Sequence, residues 1–465
     1  MENISLYDCV SPLDYRYYAN DSRMRELLGP YVSERAYIDS ELEVEVAATR
    51  VLARRGLCSE AVAQEVAQAA KLVTPQEVHE EDARIHHDTR AMVNCLRNRV
   101  SDEAKPFIHL CLTSFDVKDT ALALRLKRAA HEAVIPELLK LEKTLITLAR
   151  REKETLQMGR THGQHAVPLT FGFAIVQFVS RLGGRIEALR TAADALKGKL
   201  SGAVGAYNAS SIFFADPLEF EREVLAELEL EPSLSSTQIV EAEYVTDYMH
   251  ALTSAFGVLA NLADDMRHLQ RTEIAEVGEA FGAEQVGSST MPHKRNPWNF
   301  ENVKSIWKVM VARMQTVYLD QISEHQRDLS NSASQRFLPE VIVGLVNATQ
   351  RLDRIMSKLV TDSERMRRNF DMTGGMVAAE PAYILLAAYG HPDGHEVVRK
   401  LTMEAQASGK PLAELLFATE ELSPYLDKMT PVQRELLSDP TAYLGAAVQK
   451  TESLCDLWEQ RLKLV

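Results

Sequence analysis

The sequence predicts an all-α protein whose long helices gather in a bundle, and three observations carry that expectation. Apolar residues recur at helical spacing over long runs. Ala, Leu, Glu and Arg, all good helix formers, dominate. Stretches that alternate apolar and polar residues, the mark of strands, are scarce. With 465 residues, 46% apolar and 25% charged, the chain can support about two to four domains around a large core.

Taken in order, Met1 to Val10 lacks a basic stretch followed by an apolar one, so no leader is expected there. No run reaches the ~18 apolar residues that span a bilayer, and the chain is expected to stay in the cytoplasm. A first helical region closes near Lys105-Pro106, before Thr113. Three stripes at helical spacing then follow: Phe171, Ile175, Phe178, Leu182, Ile186 and Leu189; Val245, Met249, Leu252, Phe256, Leu259 and Leu262; and Val341, Leu345, Ala348, Leu352 and Met356. Amphipathic stripes of this kind are explained by core packing rather than by a cofactor groove. Between Asp371 and Gly375 a Gly pair punctuates the pattern, and the remainder is again helical. No repeat, low-complexity segment or Gly/Ser linker interrupts the chain. The expected division is an N-terminal helical domain over 1–112, a central long-helix bundle over 113–370 and a C-terminal helical domain over 371–465.

A formal charge of -14 argues against general affinity for nucleic acid, which needs a basic surface. A small anionic ligand stays open, because a local cluster of arginines outweighs the global sign. Cys9, Cys58, Cys95, Cys111 and Cys455 are odd in number and scattered, so they are expected to be reduced and mostly buried, with no zinc or redox pair. His162 and His165 stand three apart, and His86 and His87 adjoin Asp88; neither group has the ligand set of a zinc motif, so no metal and no cofactor is expected.

One segment breaks the helical pattern. Phe281-Gly-Ala-Glu-Gln-Val-Gly-Ser-Ser-Thr-Met-Pro-His-Lys-Arg-Asn-Pro297 contains two glycines and two prolines that oppose a continuous helix. It reads as a mobile loop that concentrates hydroxyls, an imidazole, an ammonium and an amide, as a lid over a reacting centre would. Its Ser-Ser-Thr-Met-Pro-His-Lys-Arg-Asn-Pro run resembles the signature loop, 281–298, of the fumarase/aspartase superfamily, in the form carried by the branch that acts on adenylosuccinate. Further motifs agree in order: Ser11-Pro-Leu-Asp-Tyr-Arg-Tyr17, His86-His87-Asp88, Leu112-Thr-Ser-Phe-Asp-Val-Lys-Asp-Thr-Ala121, Gly159-Arg-Thr-His-Gly-Gln-His-Ala166, Ser236-Thr-Gln238 and Glu324-His-Gln-Arg-Asp-Leu-Ser-Asn-Ser-Ala-Ser-Gln-Arg336. There are departures. Phe115 stands where the family often has a second serine, His86 replaces a more usual Lys or Arg, and Gln326 sits where Glu is common.

The resemblance implies β-elimination of fumarate from a succinylated purine nucleotide. It implies Ser288 as the base, with Ser289 as the neighbouring alternative, and His162 as the acid that protonates the departing nitrogen. Glu301 would partner that histidine, and His87 would contact the substrate and assist near the leaving group or the phosphate. Lys294 and Asn296 would face the carbanion, whose charge develops onto an already ionised carboxylate and so needs donors in place beforehand. Arg16, Tyr17, Arg327, Ser332 and Arg336 match phosphate and ribose contacts. Thr113, Ser114 and Gln238 match contacts to the succinyl carboxylates, and His86 and Asp88 belong to the same binding set. The family also implies a homotetramer whose central helices share one bundle and whose sites draw on three subunits. Rival readings are another fumarate-releasing lyase of the argininosuccinate type, which His293 and the Arg327/Arg336 segment disfavour, and a catalytically silent scaffold, which intact Ser288, His162, Lys294 and Glu301 disfavour.

Overall fold

A computed structural model describes residues 5–282 and 288–464. The chain forms two compact units. One comprises residues 1–139, 184–259 and 303–350; the other comprises 140–183, 260–302 and 351–465. Each division falls inside a helix or its flank rather than in a linker, which is why the sequence shows no composition break there.

The three apolar stripes lie on the longest helices. Phe171–Asp194 buries its six stripe residues at no more than 1% exposure, and Leu338–Met356 does the same with its five. Ala242–Leu269 buries its stripe from Met249 onward and leaves Val245 half-buried. The expected breaks also appear as helix ends. Asp88–Arg97 is followed by a short 3-10 turn at Lys105–Phe107 before Ser114–Arg128 begins. Ser363–Asp371 ends just before Gly374 and Gly375, both at positive φ, a conformation that glycine adopts without strain. Beyond it, short helices pack Ala382, Leu386, Leu401, Leu412, Leu416, Leu422 and Leu437 into a separate small core.

In the first unit, the Glu34–Arg54 helix buries Val44, Val51 and Leu52 and also two carboxylates, Glu41 and Glu45. Glu45 receives the backbone N–H of His109 at 2.8 Å and its Nδ1 at 2.6 Å. That grip fixes the segment leading into Thr113, where His109 and Cys111 both hold positive φ. In the second unit, the last helix, Ala447–Leu462, docks through Arg150, whose guanidinium reaches Glu452, Asp456 and Glu459. The Trp458 ring packs so closely on Gly183 that a Cβ there would collide with it, and its indole N–H donates to Ser180 Oγ at 3.1 Å. Cys455 is fully buried beside the Ile146 carbonyl.

Strands are few, as the sequence predicts: among the described residues there are three two-stranded ladders, of which only Leu156–Thr161 with Gln164–Thr170 is a substantial hairpin. All five cysteines are free, and Cys95, Cys111 and Cys455 are buried. Among the described residues no helix is long and apolar enough to cross a membrane. Nor, among them, does any group of three or more His, Cys, Asp or Glu stand where it could hold a metal ion.

Candidate active site

In the first unit His86, His87, Asp88, Thr113 and Ser114 stand at two helix starts. The Pro75–Ile85 helix ends on His86, held at φ 55, and the next residue, His87, caps the Asp88–Arg97 helix. A non-glycine residue in the left-handed region costs roughly 1 kcal/mol or more, and here that turn sets one helix end directly against the next helix start. His87 Nδ1 accepts the Arg90 N–H at 3.2 Å. An accepting Nδ1 leaves the ring proton of the neutral imidazole on Nε2, so His87 presents a donor.

Asp88 is clamped by Lys118, whose ammonium reaches both carboxylate oxygens at 2.7 and 2.6 Å, and Arg336 approaches at 3.4 Å. These contacts outweigh burial and hold the Asp88 carboxyl below its ordinary range. Behind them lies Glu41, fully buried, whose carboxyl burial pushes up to about 7 despite the opposing charge of Lys118. Arg125 and Arg336 stand 5.1 and 5.7 Å from the Tyr37 ring centre. Tyr37, Glu41 and Lys118 are not among the residues expected from the sequence. Lys118 lies inside the Leu112–Ala121 motif, but Tyr37 and Glu41 sit in an ordinary amphipathic helix, where no local signal marks them.

Thr113 caps the Ser114–Arg128 helix, its N–H donating to Asp116 at 2.8 Å. Asp116 is buried in an ion pair with Lys199 and also accepts the Gly202 N–H at 3.1 Å. The Ser201-Gly-Ala-Val-Gly205 loop is thereby tied through Asp116 to the helix start at Thr113. Gly202 and Gly205 lie at φ 81 and 80, and a Cβ on Gly205 would collide with the Ser236 carbonyl. Ser201 and Ser236 share a hydroxyl contact of 2.7 Å, and the Gln238 N–H donates to the Gln326 carbonyl at 3.2 Å. A continuous set of contacts thus joins Thr113, Gln238 and the segment carrying Arg327. The paired glycines of Ser201–Gly205 are the available signal for this loop in the sequence. Arg16 and Tyr17 lie together on a short turn, Leu13–Tyr17. Ser332 is exposed, its N–H bonded to the Leu329 carbonyl. A groove of about 1260 Å³ in this unit runs between the Glu34–Arg54 and Glu60–Ala70 helices and is lined by none of the predicted residues.

In the second unit, His162 and Gly163 form the two-residue tip of the hairpin at φ 56 and 75, the primed turn that matches strand twist. The hairpin is anchored from below by Glu276, fully buried, which takes Arg160 at 2.6 Å, Gln157 at 2.8 Å and Asn369 at 2.8 Å. His165, beside Arg160, is held below the ordinary histidine range by burial and then by that guanidinium. His162 itself is exposed.

Residues 283–287 of the signature loop lie outside the described residues. From Ser288 onward the loop is placed. Ser288 Oγ accepts the N–H groups of Thr290 at 3.4 Å and Met291 at 3.1 Å; Ser289 and Lys294 are exposed and Asn296 half-buried. Glu301 stands exposed in the first turn of Trp298–Val311. Among the described residues of one chain, no hydrogen bond joins Glu301 to His162.

A predominantly helical fold with a histidine at a hairpin tip and a serine in a Gly/Pro loop is that of a fumarase/aspartase-type lyase. Residues 16–311 match a family model described as lyase, and residues 323–437 one described as adenylosuccinate lyase C-terminal. Adenylosuccinate lyase of Pyrococcus abyssi is 35% identical over 97% of this chain and 98% of its own, and that of Archaeoglobus fulgidus 34% over 95% and 97%. Among solved structures, a 3-carboxy-cis,cis-muconate lactonizing enzyme from Pseudomonas putida superposes with a TM-score of 0.84 at 26% identity, over 97% of this chain and 100% of its own. A fumarate lyase from a Mesorhizobium species shares the fold, with a TM-score of 0.81 at 23% identity over 94% and 98%. The chain belongs to the adenylosuccinate lyase family.

Proposed function

We propose that this protein cleaves adenylosuccinate to AMP and fumarate, and cleaves succinylaminoimidazole carboxamide ribotide likewise, acting in the cytoplasm as a homotetramer without a cofactor. The observation that carries the chemistry is the setting of Ser288. A hydroxyl is a poor base, and two backbone N–H groups aimed at its oxygen favour the alkoxide, which is the form able to take a proton from carbon. Ser288 removes the proton on the carbon next to one carboxylate. Lys294 and Asn296 hold the charge that spreads onto that carboxylate. The bond from the neighbouring carbon to nitrogen then breaks, its electron pair stays on nitrogen, and His162 supplies the proton that completes the leaving group.

His87, presenting Nε2–H, donates toward the nucleotide. Arg16, Tyr17, Arg327, Ser332 and Arg336 receive phosphate and ribose, with arginine suited to the phosphate by its planar fork of donors. Thr113, Ser114 and Gln238 hold the succinyl carboxylates, with His86 and Asp88 shaping the same wall. Glu301 partners the acid histidine of another subunit. Sites shared between subunits fit the family's homotetramer, in which one subunit brings its loop and helix ends to a neighbour's site. The division expected from the sequence, at 112 and 370, is retained as the functional partition: the middle segment carries the acid, the base and their partners.

The test is ultraviolet absorbance of the purified protein with adenylosuccinate, coupled to fumarate detection, with no metal or cofactor added. Release of AMP and fumarate in equal amounts is expected. A folded tetramer that leaves adenylosuccinate intact would overturn the proposal.

A further inference from the structure

Arg327 is the most conspicuous unsatisfied group in the first unit. All three of its guanidinium nitrogens are buried, and none has a hydrogen-bond partner among the described residues. Carboxylates are close enough to feel its charge, namely Asp119, Asp320 and Asp328. Each is engaged elsewhere. Asp119 accepts the Val240 N–H at 2.9 Å, Asp320 takes the Ser334 hydroxyl at 2.8 Å on both oxygens, and Asp328 is occupied by the Ser330 N–H and hydroxyl and by the Glu324 N–H. Buried donors left open in this way are costly unless a ligand completes them. What holds the guanidinium is an aromatic ring: its carbon stands 4.9 Å from the centre of Phe115, itself 6% exposed. A cation over a desolvated ring face is attracted by the ring quadrupole.

We infer that Phe115 is a positioning residue that keeps the Arg327 guanidinium fixed, its donors free, to receive an oxyanion of the substrate, in place of the serine common at that position. The inference rests on the lyase reading above. The Phe115 ring also lies 5.8 Å from the Lys118 ammonium, which is committed to Asp88, so the ring borders both cations while only Arg327 is open to a ligand.

The experiment is a double-mutant cycle on the full-length protein: wild type, Phe115→Leu, Arg327→Ala and the double variant, with Phe115→Tyr as the conservative rescue. KM and kcat are measured with adenylosuccinate, and AMP affinity by calorimetry. Removing the ring is expected to raise KM and the AMP dissociation constant roughly three- to tenfold, the range a cation–π contact supplies, with kcat little changed. Tyrosine should restore both constants, and Phe115→Leu should add nothing once Arg327 is gone. Equal effects of Phe115→Leu with and without Arg327, or a fall in kcat alone, would overturn the inference. Should Phe115→Leu fail to fold, Phe115→Met keeps the volume without the ring and takes its place in the cycle. A wild type that binds AMP without cleaving adenylosuccinate overturns the lyase reading while the cycle is still read in AMP affinity; a wild type that binds neither overturns both.

Discussion

At the scale of single residues, the proposed chemistry rests on what surrounds two side chains. Ser288 is set among backbone donors and His87 is fixed in one tautomer by the helix it caps. Ser288→Ala is expected to leave binding nearly unchanged and to lower kcat by about 10²–10⁴, the usual loss for a removed proton-transfer group; steady-state rates on adenylosuccinate check this, and near-normal turnover would move the base elsewhere. Arg336→Ala should act chiefly on KM, and an unaltered KM would remove its phosphate role. The residues of the signature loop were legible in the sequence because glycines and prolines isolate them from helical pattern. Glu41, Lys118 and Glu276 were not. They are held through contacts 30 to 119 residues away in sequence, or through burial alone, and no spacing rule records such a contact.

At the scale of elements, helices were legible wherever one face is apolar, since burial selects that period. The hairpin that presents His162 was not, because Gly159-Arg-Thr-His-Gly-Gln-His-Ala166 carries no alternation; it is held by Glu276 from another segment rather than by a buried face of its own. Similarly, the Ser201–Gly205 loop owes its place to Asp116 and Lys199. Lys199→Ala leaves the Asp116 carboxylate buried and unpaired, and should destabilise the first unit by about 3–5 kcal/mol, seen as a lower midpoint in denaturant. Gly205→Ala adds a Cβ against the Ser236 carbonyl at a positive φ, so it should displace the loop and raise KM even where the protein stays folded. Gly183→Ala should similarly loosen the last helix by driving Trp458 off its seat, which tryptophan fluorescence would register.

At the scale of the whole molecule, stability and assembly carry their own tests. Light scattering should give four times the 52.1 kDa of one chain; a monomer active at full rate would remove the shared site. Glu41, held near 7 by burial against a reference of 4.5, keeps its proton in the folded state at pH values where the unfolded chain has lost it. Its contribution is therefore most favourable below about pH 4.5 and is lost as pH rises toward 7. Glu41→Gln should accordingly raise the melting temperature relative to wild type at pH 8 and not at pH 5. Finally, Cys455 lies on the face of the last helix that meets Ile146, its thiol pushed up to about 11 chiefly by burial. A thiol that is both protonated and covered does not react with alkylating reagents until it is uncovered. The rate at which iodoacetamide modifies Cys455 is thus a clock built into the native chain, counting how often the C-terminal helix lifts from its place without any label having to be introduced.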